Sequence, residues 1–175
     1  MENTATTVTP ASVGIRYGVL TGLVSIIYTF ILLATRQEGN TPLGLLAFVI
    51  WIGGIWMAHK YYKANNEGFM SYGQGLTIGM ILSLVSGVMG AIFRYVYMEF
   101  IDPAAVQRGV DLARTKMEQQ GNLSDEQIDQ AVAMSQKFSV GPVGLVIAIV
   151  FAVLIGLILS LIISAITKNT RPEFE

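Results

Sequence analysis

The chain has 175 residues, of which 53% are hydrophobic and only 13% charged, and its formal net charge is −1. A soluble domain carries about 25% charged residues, so much of this surface faces something other than water, and near-neutrality provides no basic field for nucleic acid. Cysteine is absent and there is a single histidine, which excludes disulfides, thiolate metal sites, thiol chemistry and any multi-histidine metal site.

A bilayer core about 30 Å thick is crossed by roughly 20 apolar residues in a helix. Four segments meet or approach that length. The first is "GIRYGVLTGLVSIIYTFILLAT", residues 14–35. Its leader "MENTATTVTPASVG" lacks a basic region and "FILLATRQ" is a poor cleavage context, so it reads as a retained span rather than a signal peptide. The second starts with "PLGLLAFVIWIGGIWMA" at Pro42 and is short. The following "HKYYK" (His59–Lys63) extends it to about residue 60 as an interfacial turn, with His59 an ordinary interfacial histidine. Thr41 reads as its N-cap, with Pro42 at the first helical position. The third span, Tyr72–Ile101, opens on the capping box "SYGQ" (Ser71–Gln74). The first, second and fourth segments carry no amphipathic period, which argues against soluble core helices. Trp51, Trp56, Tyr61, Tyr62, Tyr95 and Tyr97 supply candidate interfacial aromatics.

The third span leaves through "FRYVYMEFIDP", residues 93–103. Arg94 sits about two turns before the boundary, on the helix face that carries Ser83, Gly87 and Gly90. Helical side chains lean toward the N-terminus, so Arg94 must curl back to the interface or find a partner. Glu99 is a poor partner on the same helix, and Asp102 is about 12 Å away in rise. An ionisable residue within a span is a functional candidate, although one near a helix end can snorkel. Arg94, Tyr95, Glu99 and Asp102 are therefore the candidate set at the outer mouth of the bundle, for anchoring or for ligand or lipid-headgroup binding.

Asp102-Pro103 is expected to cap and start a new helix. Val106, Val110, Ala113 and Met117 recur at helical spacing, "GNL" (Gly121–Leu123) breaks the pattern, and "SDEQ" (Ser124–Gln127) is another capping box. Ile128, Ala131, Val132, Ser135 and Phe138 form a second stripe. The spacing predicts an extramembrane amphipathic helical hairpin over 103–139. Its stripes bury against each other, the bundle mouth, the bilayer surface or a partner. "NLS" also matches a glycosylation sequon, which carries no weight here. The fourth span is "GPVGLVIAIVFAVLIGLILSLIISAIT", residues 141–167.

Small residues recur at every fourth position. The third span has Gly75, Gly79, Ser83, Gly87 and Ala91. The fourth has Gly144, Ala148, Ala152, Gly156, Ser160 and Ser164, and the first has Gly14, Gly18 and Gly22. In lipid, close backbone approach through small residues supplies the packing that hiding apolar side chains cannot. Such ladders argue for a tightly packed bundle or for contact between protomers, and against a wide aqueous pore. Arg16, Lys60, Lys63, Lys168 and Arg171 lie close to membrane ends on one side, which favours both termini in the cytoplasm. No carboxylate lies deep in a span, as coupled transport usually needs. No catalytic set, metal cluster or phosphate-cradling loop is present, so no catalytic residue, cofactor or metal is expected.

Four stretches carry a resemblance: "GFMSYGQGLTIG" (Gly68–Gly79), "RYVYMEFIDP" (Arg94–Pro103), "NLSDEQIDQAVAM" (Asn122–Met134) and "TKNTRPEFE" (Thr167–Glu175). Through them the chain resembles an uncharacterised family of small four-span bacterial membrane proteins, a domain of unknown function common in Bacteroidetes. The resemblance implies an all-α integral protein of the bacterial inner membrane and no activity. The whole chain, 1–175, reads as one membrane domain. The leading functional expectation is a non-enzymatic scaffold or accessory subunit, with the lipid bilayer and a second copy or a membrane-complex protein as partners. The alternative is a small transporter or a lipid or small-molecule binder using Arg94.

Overall fold

The computed structural model describes residues 8–139 and 141–171. The first seven residues of the leader and the last four of the tail lie outside them. The described residues form α1 (Pro10–Ala34), α2 (Thr41–Ala64), α3 (Tyr72–Val96), α4 (Ala104–Gln120), α5 (Asp125–Ser139) and α6 (Gly141–Thr167). α1, α2, α3 and α6 are each long and apolar enough to cross a membrane, which is the make-up of a multi-pass membrane protein. Their outer faces are apolar as well: Ile27, Val49 and Phe151 are about 60% exposed, an arrangement that water would not support.

Local chemistry sets the helix ends. Thr9 and Ser12 form a reciprocal capping box ahead of α1, with Pro10 in its first turn. Asn40, not Thr41, caps α2: its side chain accepts from the Leu43 N–H, and Pro42 stands one position further in than the sequence implied. α2 also continues unbroken through His59–Lys63 to Ala64, so the expected interfacial turn is two more turns of helix. The Ser71–Gln74 box is formed, as is Ser124–Gln127. α3 does not end at Val96 but widens into a π turn, Tyr97–Ile101, closed by the Asp102 N–H donating to the Tyr97 carbonyl at 2.8 Å. Pro103 disfavours helical geometry at the residue before it, and Asp102 is extended at φ −142. α4 stops at Gly121, whose φ of 65 is a left-handed conformation that glycine adopts without strain.

The ladders meet each other. Along α3 and α6, Gly75 lies against Ser164, Gly79 against Ser160, Ser83 against Gly156 and Gly87 against Ala152. Four-residue steps in opposite directions mark the pair as antiparallel. Along α1 and α3 the steps run the same way: Gly14 meets Ile81, Gly18 meets Val85 and Gly22 meets Met89. α1 and α2 are antiparallel, tied by the Tyr28 hydroxyl donating to the Leu43 carbonyl at one end and by Arg16 donating to the Tyr61 hydroxyl at 3.0 Å at the other. α3 thus packs against both α1 and α6.

Burial is uneven along the bundle. Val13, Ile55, His59, Met70, Ile78 and Leu82 are the largest fully buried side chains, and they cluster from mid-span toward the end that carries Met70. That end is clasped by an antiparallel bridge between Met70 and Asn169, with N–H to O distances of 2.7 and 2.8 Å. His59 belongs to this core. It is 0% exposed, which corrects its reading as an interfacial residue. Tyr62 and Tyr97 are likewise buried. Tyr97 packs edge-on against Phe30 and against Phe93, so neither tyrosine is an interfacial anchor.

Candidate functional site

The opposite end, where α1 and α3 finish and α2 and α6 begin, is built differently. Arg36 turns the chain with φ 55 and brings Glu38 back toward α4. Arg108, one turn into α4, donates from Nη2 to Asp102 at 2.7 Å and from Nε to Glu38 at 3.3 Å. Asp102 therefore does not cap α4. The N-cap is Pro103, with no side-chain bond, because the Asp102 carboxylate is held by Arg108. That pairing holds the Asp102 carboxyl below the usual carboxylate range, chiefly through the Arg108 hydrogen bond, with the charge of Arg36 adding to it. The Arg108 guanidinium is raised above its ordinary range, first by the Asp102 hydrogen bond.

A group whose folded-state value is depressed contributes stability above its unfolded value and loses it as pH falls through the folded one. Protection of the amides in Ala104–Gln120, taken relative to the intrinsic exchange rate at each pH, is therefore expected to stay flat from neutral pH down to the ordinary aspartate value of about 3.9. Below that value protection should fall. Arg108→Ala should show the lower protection already at neutral pH, and hydrogen exchange followed by mass spectrometry measures both.

α4 and α5 pack on each other, and Arg114 bridges them by pairing with Asp129 while also holding Glu118 at 3.1 Å. The expected stripes are half-buried on α4 and buried at Ile128 and Val132 on α5. Phe138 departs from its stripe at 45% exposed. Leu112, which the stripes left out, packs on Gly39 of the α1–α2 loop.

Arg94, Tyr95 and Glu99 come together at one small cavity of about 50 Å³, which Ala91, Gly144 and Ala148 also line. Asp102 is not part of it. Arg94 is exposed and makes no hydrogen bond or ion pair among the described residues. It lines two further cavities, each of about 220 Å³. One lies under α4 and α5, between Ala105, Gly109 and Ser135. The other lies among the four spans, between Ser25, Tyr28, Trp51, Ser86, Gly87 and Ala152. The ladder that closes α3 on α6 as far as Gly87 thus opens at its far end, where Ala91, Gly144 and Ala148 form cavity wall. Nearby, Glu38 Oε2 and Ser25 Oγ are buried without a hydrogen-bond partner among the described residues. Glu38 is close enough for its charge to act on Arg94.

Chemically, this end offers a planar cation with free donors between an apolar interior and a polar cap, which suits an anion of modest size. Among the described residues no group of three or more metal-binding side chains converges. The residues that sequence reading missed here are Glu38, Arg108 and Ser25, while Trp51, expected as an interfacial aromatic, lines two cavities between the spans. Arg108 carried a faint signal, a base six residues after Asp102, whereas Ser25 read as an ordinary span residue.

A family model described as "Protein of unknown function (DUF4199)" matches residues 16–169. No curated protein and no solved structure matches the chain.

Proposed function

The chain belongs to the family DUF4199, of unknown function, and from that premise, which assigns no activity, we propose a non-enzymatic multi-pass membrane protein that binds an anionic ligand through Arg94. The observation that carries this reading is the state of Arg94: a cation within a span, with no hydrogen bond or ion pair among the described residues, lining three cavities. A cation within a span that no hydrogen bond satisfies is costly, and a bound anion would offset that cost beyond what the charge of Glu38 supplies at a distance. The host is the bacterial inner membrane. Both termini are cytoplasmic, and α4 and α5 form an extramembrane hairpin over the outer mouth.

Two measurements test these points. Released gently from mild detergent, the intact wild-type protein should carry a retained anionic adduct in mass spectrometry. Arg94→Gln should lose at least about tenfold of that occupancy, a difference of roughly 1.4 kcal/mol. Arg94→Lys should fall between, since it keeps the charge and loses the fork. A wild-type chain with no adduct would sink the reading. For orientation, the cysteine-free chain accepts single probes directly. Ala64→Cys should react only with reagents supplied from the cytoplasmic side, and Gln119→Cys only with those supplied from outside.

The second reading is a scaffold or accessory subunit, as a homo-oligomer or beside a membrane-complex protein. The ladders no longer favour it, because α1, α3 and α6 use them on each other. What favours it is the apolar strip outside the bundle, Met134 at 64% and Phe138 at 45% exposed on α5. A stoichiometric protein partner in the same mass spectra, in place of the adduct, would select it.

A further inference from the structure

We infer that the ligand is a glycerophospholipid, held with its phosphodiester on Arg94, its headgroup under α4 and one acyl chain in a cleft between α2 and α6. This rests on Arg94 being an anion site and adds the chemical class. α2 and α6 form a V. At the closed end His59 and Lys63 of α2 bond to Thr167 of α6 at 2.8 and 3.0 Å. Toward Arg94 the helices part around a cleft of about 300 Å³, lined by Ala47, Phe48, Trp51, Phe151, Ala152 and Ile155. The cleft shares Ala47, Trp51 and Ala152 with the interhelical cavity that reaches Arg94, so the two adjoin.

An apolar cavity does not hold ordered water. This one lies between two apolar spans, and its lips, Phe48 and Phe151, are 42% and 60% exposed. In a bilayer the fluid outside such lips is acyl chain. From the level of Ala148 to Ile155 the cleft runs about 10 Å along α6, parallel to a lipid tail.

The position of the charge decides the class. Arg94 stands between this apolar path on one side and, on the other, a cavity of about 220 Å³ bounded by Gly109 and Ser135. A fatty acid has its charge at one end and would leave that second space unused. A glycerophospholipid has its phosphate in the middle, with a polar group beyond it. Arginine meets a phosphate with two parallel hydrogen bonds.

Trp51 is a built-in reporter, because Trp56→Phe leaves it as the single tryptophan. In detergent, phosphatidylglycerol brominated on its chains should quench Trp51 saturably. Brominated diacylglycerol and brominated fatty acid should need at least tenfold more. Arg94→Gln should weaken quenching by phosphatidylglycerol about tenfold. Ala47→Phe, which fills the cleft and keeps the Arg94 side chain itself, should abolish it while helix content and melting stay as in the parent. Equal quenching by diacylglycerol or by the fatty acid would overturn the proposal, as would quenching unchanged in Ala47→Phe. An anionic adduct that depends on Arg94 but is not a phospholipid would overturn the lipid class and leave the anion site standing. No adduct and no quenching would remove both.

Discussion

Gly79→Ser is expected to destabilise the bundle by about 1–3 kcal/mol, and adding Ser160→Gly is expected to restore most of the loss. A Cβ on Gly79 would stand 2.7 Å from the Ser160 Cβ and 3.5 Å from its Cα. The Cβ is fixed to the backbone and cannot rotate away, so α3 and α6 would have to separate. Separation costs contacts along the whole seam, because dispersion between the helices falls steeply with a radial gap and lipid offers no hydrophobic drive to close it. The swap works because the seam is reciprocal: one turn further on, Ser83 fills the space over Gly156 in the same way. Exchanging the two residues keeps the seam volume and the number of helical glycines. Unfolding followed in mixed micelles should give a coupling of 0.5–3 kcal/mol between the two positions. Gly73→Ser serves as the control, since nothing lies within 4 Å of its added Cβ. Losses that simply add would mean that the two helices do not meet at these residues.

That experiment also marks the boundary of what was legible in the chain. The period of a ladder is written in one segment, so Gly75 to Ala91 and Gly144 to Ser164 could be read one helix at a time. Which ladder meets which is not written in either. Periodicity assigns a face, while the partner depends on how four helices share space, and contact between protomers stood as the alternative. Capping boxes are complete within four residues, and Ser71–Gln74 and Ser124–Gln127 formed as read. Asp102 shows the limit of the same logic: a capping residue is diverted when a stronger donor is in reach, and Arg108 is a charged one. Arg94 stood out because charge inside an apolar run is visible without a structure. Its cavities did not, because a void is made by the divergence of helices whose sequences each look well packed.

His59→Leu is the second large expected effect, a loss of about 1–3 kcal/mol from buried groups left unpaired, with binding at Arg94 unchanged. The sequence placed His59 at an interface because "HKYYK" is locally polar. In the fold it is the node that joins three spans. Nε2 lies 2.9 Å from the Gly75 carbonyl, which can only accept, so Nε2 is the donor. Nδ1 lies 2.8 Å from the Thr167 hydroxyl, whose single proton is shared between Nδ1 and the Ile163 carbonyl, also at 2.8 Å. Lys63, one turn on from His59, donates to the Thr167 carbonyl at 3.0 Å. The hydrogen bonds thus run from α2 to α3 and to the last residue of α6, beside the Met70–Asn169 bridge. Leucine keeps much of the bulk, so its loss isolates the polar contribution from packing. Thr167→Val should cost less, since Nδ1 alone is stranded, and the double variant should cost less than the sum of the two. Because the node ties α2 to α6 at the end remote from Arg94, His59→Leu should also speed amide exchange around Met70 and Asn169 while the retained adduct persists. A His59→Leu protein as stable as wild type would show that apolar filling alone holds this end. The closed end of the α2–α6 cleft would then be set by shape rather than by the hydrogen bonds of His59.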